Sequence, residues 1–588
     1  MPAGRGILVT VGFCVMSSTA LPALASGRRL LNLWDAGAML CVFGALVAVA
    51  GAARSTLAPL PEASAAVIHL APSYLPEYAL RTTMRMFAAL VASLAFTFTV
   101  APLAARSRRA ALLVIPALDI LQSVPILGFL TFTVTFFLNL FPGRVLGAEF
   151  AAIFVIFTSQ AWNMAFSFYQ SLVTEPEDLI EAARLFRLTP WQRFWRLDVP
   201  FAVPGLVWNT MLSMSGGWFF VVASEAVSVG NRTFTLPGIG SYVALALTHE
   251  RLGAIAWAIL AMLAVILAYD QILFRPLVAW SAKFRFETIA TLAPPDPWVL
   301  KLVRRTRFLR LAGQRLGGLA DRLAGLPLAV PGRRRRAAGP PSRLVDALFY
   351  VVLAVALAAA LWRIASFLAA SLAWSDALQA LLYGLFTLAR VIAVLAISCI
   401  VWVPIGVWLG LRPAYARIAQ PVAQFLAAFP ANLLFPPMVL VIVYFRLDPA
   451  VWLTPLMLLG TQWYVLFNVV AGAAAFPGDL REAAANFRVG GLLWWRRVIL
   501  PGILPYLVTG AITATGNAWN TSIVAELAAW GKVTLVAPGL GAYIAQATAD
   551  GATSKVVLGV AVMSAFVLLF NRLVWRPLYD YARRRTSF

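Results

Sequence analysis

The sequence predicts an all-α membrane protein made of two parallel repeats. Each repeat has about six transmembrane helices and one charged cytoplasmic loop. Three observations lead there. Apolar runs long enough to cross a bilayer recur along the chain; charge is scarce and unevenly placed; and the second half repeats the first in register. Of the 588 residues, 61% are hydrophobic and 12% charged, and the mean hydropathy is +0.83. A soluble protein cannot cover its surface with so little charge.

Runs of about 20 apolar residues span a hydrocarbon core of roughly 30 Å. Twelve such runs are expected, near 34–53, 81–104, 111–140, 148–174, 200–224, 252–274, 344–371, 378–411, 416–445, 451–475, 501–528 and 555–577. Several exceed one crossing and are expected to tilt or to extend out of the bilayer. Ahead of them, residues 6–25 are apolar and run into ALPALAS, which resembles a cleavage site. Cleavage there would put Arg28 and Arg29 outside, against the charge rule, so an additional helix or an over-extended start is expected instead. The domain reading is therefore an N-terminal extension 1–33, a first repeat 34–274, a basic linker 275–343 and a second repeat 344–588.

The net charge is +23. The segment Arg275–Arg343 alone carries 15 Lys or Arg against 3 acids, +12. It contains PGRRRRAAGPP, a composition that forms no packed core, so a solvated linker touching anionic lipid heads is expected. Other basic clusters are Arg28–Arg29, Arg106–Arg109, Arg412 with Arg417, and Arg572–Arg585. Threading twelve spans from a cytoplasmic N-terminus puts every one of these clusters inside, and leaves outer loops such as 54–80 and 446–450 poor in Lys and Arg. That placement argues for membrane topology and against nucleic-acid binding. Cys14, Cys41 and Cys399 all lie in apolar runs, and neither they nor His69 and His249 have a metal-site or disulfide spacing.

The repeat appears when 301 is added to a residue number. Over 176–204 against 477–505, 11 of 29 positions are identical without a gap. Trp162, Trp218 and Glu225 meet Trp463, Trp519 and Glu526, and PGIGSY at Pro237–Tyr242 meets PGLGAY at Pro538–Tyr543. Upstream the offset is 305, pairing Thr82 and Arg85 with Thr387 and Arg390, and Pro125 with Pro430. Six spans return the chain to its starting side, so the repeats are parallel, with a pathway expected between the halves.

The most charged shared stretch is LIEAARLFRLTPWQRFWRLDVP at Leu179–Pro200, repeated as LREAAANFRVGGLLWWRRVILP at Leu480–Pro501. Asp178 and Asp479 are expected to cap a helix, with Glu181 and Glu482 in capping-box position. Small pairs follow, then breakers at Thr189–Pro190 and Gly490–Gly491, then an amphipathic run ending at Pro200 or Pro501. A helix–turn–helix on the cytoplasmic side is expected; a plain joining loop is the alternative, but would not need to keep the same acid, Ala pair, Phe–Arg and prolines twice. At Glu181-Ala182-Ala183 and Glu482-Ala483-Ala484 the stretch resembles the "EAA" loop of bacterial ABC importer permeases. With GGWFFVVASEAV at 216–227, NAWNTSIVAELA at 517–528 and the later Pro-Gly-x-Gly, the chain looks like the duplicated, fused permease of the nitrate/sulfonate/taurine-type anion branch.

The resemblance implies a coupling-helix loop in each repeat, docking on two separate ABC ATPase subunits through Glu181, Ala182, Ala183, Arg187, Glu482, Ala483, Ala484 and Arg488. It implies a periplasmic or extracellular solute-binding protein as a further partner, and a bacterial inner-membrane location with both termini cytoplasmic. The family motif usually has Gly six residues after the Glu, where this chain has Arg187 and Arg488. Arg resists the left-handed conformation that Gly permits, so the turn is expected to shift to Thr189–Pro190 and Gly490–Gly491; the alternative is that the Arg pair contacts acids on the ATPase. No Gly-x-x-x-x-Gly-Lys-Ser/Thr loop occurs, so no cofactor is expected in this chain, and ATP is expected on the partner. Asn163, Trp218, Glu225, Trp519, Asn520 and Glu526 are candidates to line the pathway, with Gln160, Asn209, Gln462 and Asn517; helix–helix hydrogen bonding is the other reading for most of them. For Glu225 and Glu526, a wet outer-end position or a helix-end contact within the repeat are the alternatives. The rival functions are an ion-gradient-driven secondary transporter, which would want a mid-membrane charge relay, and an uncoupled scaffold or channel.

Overall fold

The computed structural model describes residues 68–123, 126–229, 232–284, 297–327, 343–476, 478–531 and 533–586, with positions 39, 44 and 51. The N-terminal extension 1–33, all but three positions of the expected span 34–53, Cys14 and Cys41, Pro125, Pro477 and PGRRRRAAGPP lie outside the described residues. Two compact units are present. One comprises 167–208 and 271–327; the other comprises 68–166, 209–270 and 343–586.

In the first repeat the helices are α1 (Leu75–Arg106), α2 (Arg108–Ser123), α3 (Leu130–Leu140), α4 (Val145–Val173), α5 (Glu177–Leu185), α6 (Pro190–Arg193), α7 (Val199–Glu225), α8 (Ile239–Thr248), α9 (Leu252–Tyr269) and α10 (Arg275–Ser281). Two further helices follow, α11 (Trp298–Arg305) and α12 (Arg307–Gly325). They modify the expectation of a solvated linker with no packed core: leucine spacing favours helices between Pro297 and Pro327, a stretch without proline. The second repeat comprises α13 (Arg343–Ser371), α14 (Trp374–Gly410), α15 (Pro413–Ala428), α16 (Phe435–Tyr444), α17 (Thr454–Ala474), α18 (Gly478–Asn486), α19 (Gly491–Trp494), α20 (Leu500–Ala525), α21 (Leu540–Ala549), α22 (Thr553–Phe570) and α23 (Arg576–Thr586).

The repeats agree at the level of buried faces. Leu75, Ala79, Thr82, Met86, Ala89 and Ser93 form the inner stripe of α1, and Ala380, Gly384, Thr387, Val391, Val394 and Ser398 form that of α14 at an offset of 305. Spacings of three and four keep each set on one side of a helix. Among the described residues, nine helices are long and apolar enough to cross a membrane. Two expected spans are not single helices. The run 111–140 divides into α2 and α3, and 416–445 divides into α15 and α16, bent by 79°. At the second break Phe429 is extended ahead of Pro430, as a residue before proline prefers, and a 3₁₀ turn at Ala431–Leu434 follows.

The amphipathic run after each breaker does not end at Pro200 or Pro501; it continues into the span. A π turn at Phe194–Asp198 precedes Pro200, and one at Trp495–Ile499 precedes Pro501. The same pairing recurs at Asp270–Phe274 before Pro276 and at Asn571–Trp575 before Pro577. Proline has no N–H to give and crowds the carbonyl four residues back. A π turn opens the ladder where that bond is lost, so the helix passes through.

Two short antiparallel hairpins add to the helices: β1 (Ala226–Val229) with β2 (Arg232–Thr235), and β3 (Leu527–Trp530) with β4 (Val533–Val536). Each turns the chain back over the end of the preceding span, where Leu236 N–H donates to Glu225 O at 2.9 Å and Ala537 N–H to Glu526 O at 2.9 Å.

In the second repeat α17 packs along α14 and α20. Gly406 and Gly410 let α14 approach closely: a Cβ on Gly410 would lie 2.6 Å from Ala473 Cβ and 2.7 Å from Val470 O. Small residues four apart are the means by which helices in lipid gain packing that hydrophobicity cannot supply. Gly410→Val should therefore force the two helices apart and cost about 1–3 kcal/mol, as overpacking does, read as a lower unfolding midpoint in detergent.

Candidate functional site: charged loops, buried clamps and a cavity

The charged stretches fold as helix–turn–helix units. Asp178 does not cap α5. The cap position is Pro176, without a side-chain bond, and Asp178 lies in the first turn beside Glu177, where its charge favours the helix N-terminus. Asp479 likewise falls inside α18. The capping box belongs to the next helix, where Thr189 accepts from Gln192 N–H and Gln192 accepts from Thr189 N–H.

The turn does not shift to the breakers. Arg187 and Arg488 themselves take the left-handed conformation, with φ of 49° and 50°. Leu188 N–H donates to Ala183 O at 3.1 Å and Val489 N–H to Ala484 O at 2.9 Å. These six-to-one bonds close both helices, and two of their carbonyls outweigh the cost to an L-residue there, about 1–2 kcal/mol. Ala183 and Ala484 are buried against the turn, whereas Glu181 and Glu482 are exposed. Phe186 and Phe487 are 77% and 81% exposed. These two rings are not among the candidates drawn from the sequence; the signal that marks them is their identity in both repeats.

Behind the loops the repeats differ. Arg193 pairs with Glu175 at 2.9 Å and with Asp198 at 3.1 Å, and both carboxylates are buried. At the same register the second repeat has Trp494, Phe476 and Ile499, which pack together in an apolar cluster. An arginine between two buried carboxylates and a packed apolar trio are alternative ways to fill the same register.

Glu225 and Glu526 make helix-end contacts within each repeat. Glu225 is inaccessible to solvent. Thr82 Oγ1–H donates to it at 2.7 Å, Arg85 Nη1 at 2.7 Å and Gly240 N–H at 2.7 Å. Arg85 also holds Glu149 through two bonds of 2.6 and 2.7 Å. In the second repeat Thr387 donates to Glu526 at 2.8 Å, Arg390 at 2.9 Å and Gly541 N–H at 2.8 Å. Ala450 occupies the position of Glu149, and its carbonyl accepts from Arg390 at 3.3 Å. Each carboxylate thus faces the N-terminus of α8 or α21, where free N–H groups and the helix dipole favour an anion. The Pro-Gly-x-Gly motif follows from this. A Cβ on Gly238 or Gly539 would meet the carboxylate at 2.3 Å, and one on Gly240 or Gly541 would meet a span carbonyl at 2.2 or 2.4 Å.

The other candidates are dispersed. Trp218 lies edge-on to Tyr269 and Trp519 stacks on Phe566, both buried. Asn163 accepts from Gln122 at 3.0 Å, and Gln160 is buried with its amide nitrogen on Met86 sulfur at 3.2 Å. Asn520 accepts from Ile126 N–H at 2.6 Å, while Asn432 donates to Phe219 O at 3.1 Å. Gln462 accepts from Trp402, and Asn517 donates to Gly460 O. Asn209 lies in α7.

A cavity of about 40 Å³ opens between residues of both repeats. From α7 come Met211, Ser215, Gly216 and Phe219; from the second repeat come Gln424, Trp463, Tyr464 and Asn517, among others. No ionisable acid or base other than the Tyr464 phenol lines it. The Tyr464 hydroxyl approaches Gly216 so closely that a Cβ there would be 3.0 Å away. Of the sequence candidates only Asn517 lines this cavity.

Two outcomes test this geometry. Glu225→Ala leaves Arg85 buried with half its partners and should cost about 3–5 kcal/mol, lowering the unfolding midpoint in detergent well below that of Glu225→Gln. Arg488→Gly relieves the left-handed strain and should raise that midpoint, by about 1 kcal/mol at most once glycine's unfolded-state entropy is set against it.

The comparisons agree with the repeat. The family described as "Binding-protein-dependent transport system inner membrane component" matches residues 93–275 and again 402–576. The chain is 29% identical over 188 residues to the bicarbonate transport system permease protein CmpB of Synechococcus elongatus. It is 25% identical over 188 residues to the nitrate import permease protein NrtB of Leptolyngbya laminosa, and 27% over 187 to the taurine transport system permease protein TauC of Escherichia coli. Each match covers 32% of this chain and 64% of the relative, so the chain spans just under two thirds of the length of these curated relatives. With the family unit present twice, each copy holding one helix–turn–helix loop and the carboxylate of one buried clamp, the chain belongs to the family of binding-protein-dependent transport system inner membrane components.

Proposed function

We propose that this chain is the transmembrane permease of an ATP-binding-cassette importer for a small anion, holding both halves of the pathway in one polypeptide. The observation that carries the reading is the pair of loops at an offset of 301. Each presents an exposed Glu, a left-handed Arg and a solvent-facing Phe on a short helix closed by the same backbone bonds. An aromatic ring that open to water is suited to fill a partner's groove. ATP bound and hydrolysed by two separate subunits would draw them together and push on both loops. Because α6 runs through its π turn into α7, and α19 into α20, that push would pass directly to a span. Alternating access by rocking the two halves follows.

The names of the relatives, bicarbonate, nitrate and taurine permeases, support a small anion as solute. The cavity lined by Ser215, Gly216 and Tyr464 is proposed as part of the path. Its donors are neutral, so it would pass an anion without holding it in a deep electrostatic well. An ion-driven carrier would need a membrane carboxylate free to change state; Glu225 and Glu526 are each bound by an arginine and a helix N-terminus. The proposed location is the bacterial inner membrane, with both termini cytoplasmic and a solute-binding protein on the far side.

Glu181→Arg and Glu482→Arg should each weaken binding of the ATPase and lower ATP-driven anion uptake by reconstituted vesicles, with little change in the unfolding midpoint. Native mass measurement of the assembled complex should give one copy of this chain to two ATPase subunits. Two copies per two ATPases would mean that the halves do not form one pathway.

A further inference from the structure

The helices α11 and α12 lie in the basic segment between the two repeats. We infer that they form a strap bound to the anionic phospholipid of the cytoplasmic leaflet, which ties the first coupling loop, and not the second, to the membrane surface.

The pattern of α12 is that of an interfacial helix. Phe308, Ala312, Leu316, Leu319 and Leu323 follow one another at intervals of three and four, and so share one face. Leu316, Leu319 and Leu323 are 67%, 54% and 50% exposed. Arg307, Arg310, Gln314 and Asp321 occupy the opposite face, and Arg315 and Arg322 lie at its margins. Four Arg against one Asp give the helix +3. An open leucine stripe with arginines at its edges fits the boundary between acyl chains and acidic headgroups, where the stems lie in lipid and the charged ends reach phosphate. At 19 residues the helix is about 28 Å long.

Both ends of the strap are fastened. At the start, Trp298 Nε1–H donates to Gln271 Oε1 at 3.3 Å. Gln271 belongs to the continuous span Leu252–Phe284 and comes about 19 residues after its first residue, roughly one hydrocarbon thickness along the helix. Trp298 is thereby held where that span leaves the bilayer, the level at which tryptophan is favoured. At the far end, Trp191 Nε1–H donates to Leu323 O at 2.8 Å and Gln192 Nε2–H to Gly325 O at 2.9 Å. These are carbonyls at the C-terminal end of α12, where the intrahelical ladder runs out, and Leu323 O accepts besides only from the cap residue Leu326 N–H at 3.3 Å among the described residues, so loop 1 caps the strap. The approach is close: a Cβ on Gly325 would lie 3.2 Å from Arg196 Nη2.

The second loop lacks these donors. Leu492 and Leu493 stand at the register of Trp191 and Gln192, and both are exposed. Among the described residues only loop 1 is fastened in this way, and the lipid at the leaflet becomes a partner of one coupling loop. The tie to ATPase docking rests on the proposed function; the tie to lipid does not.

The test uses the full chain in nanodiscs, with Cys14, Cys41 and Cys399 changed to Ser and a single fluorophore placed through Leu319→Cys or Arg310→Cys. Acyl-brominated phosphatidylcholine serves as quencher, with and without phosphatidylglycerol. The expected result is at least twofold stronger quenching at 319 than at 310, increased further by phosphatidylglycerol. In the double variant Trp191→Phe, Gln192→Ala, quenching at 319 should persist, while a spin label introduced by Phe186→Cys gains mobility. Equal quenching at 319 and 310, or quenching indifferent to phosphatidylglycerol, would overturn lipid binding. Shielding of 319 that arises only when the ATPase is added would give the face to the ATPase instead. An unchanged spin label in the double variant would overturn the tie to loop 1. No arm requires transport, so failure of the importer reading would leave the lipid result standing and separately readable.

Discussion

A carboxylate held between an arginine and the N-terminus of a short helix is the interaction on which each half depends. Glu225 and Glu526 end the spans that leave the charged loops, and Thr82–Arg85 and Thr387–Arg390 come from α1 and α14. The third party is the helix after the hairpin. Three segments remote in sequence are thus joined at one oxygen pair in a medium where an unpaired charge is costly. The glycines of Pro-Gly-x-Gly are small because the carboxylate and a span carbonyl already occupy the space a Cβ would need. The hairpins exist to bring that motif back over the carboxylate.

Around the shared clamp, the halves have drifted in ways that keep local balance. Glu149 becomes Ala450, and the guanidinium turns from a side-chain carboxylate to a backbone carbonyl. Glu175, Arg193 and Asp198 become Phe476, Trp494 and Ile499. Neither change leaves an unpaired charge behind. The loops keep their outward faces, Glu, Phe and Arg, while the layer beneath them is rebuilt. The cavity is unequal as well: Tyr464 stands at the register of Asn163, and Asn517 at that of Gly216.

Much of this was legible in the sequence. Membrane class, repeat, offset and loop positions follow from apolar run length and from identities at 301 and 305. Less legible was anything set by a partner distant in the chain. Thr82 and Arg85 were paired with Thr387 and Arg390 as repeat markers, but no local pattern said that they meet Glu225 and Glu526. The carboxylates were read as candidates for the pathway or for helix ends, and only three-dimensional proximity chose the latter contact. The left-handed Arg187 and Arg488 run against residue preference, because two backbone bonds at the helix end outweigh it. The broken spans were missed because average hydropathy passes over a single extended residue ahead of Pro430. Pro200 and Pro501 were read as helix ends, since a π turn that lets proline stay inside leaves no signature in the pattern.

The trio beneath the loops sets how these halves can change over time. Placing Trp494 alone at position 193 would strand Glu175 and Asp198 in a buried space, and placing Arg193 alone at 494 would strand a cation among aromatic rings. Intermediate sequences are less fit than either endpoint, while the complete exchange is neutral or better. The three positions therefore change together or not at all, so that the layer beneath each loop behaves as one unit of sequence although its members stand up to 23 residues apart.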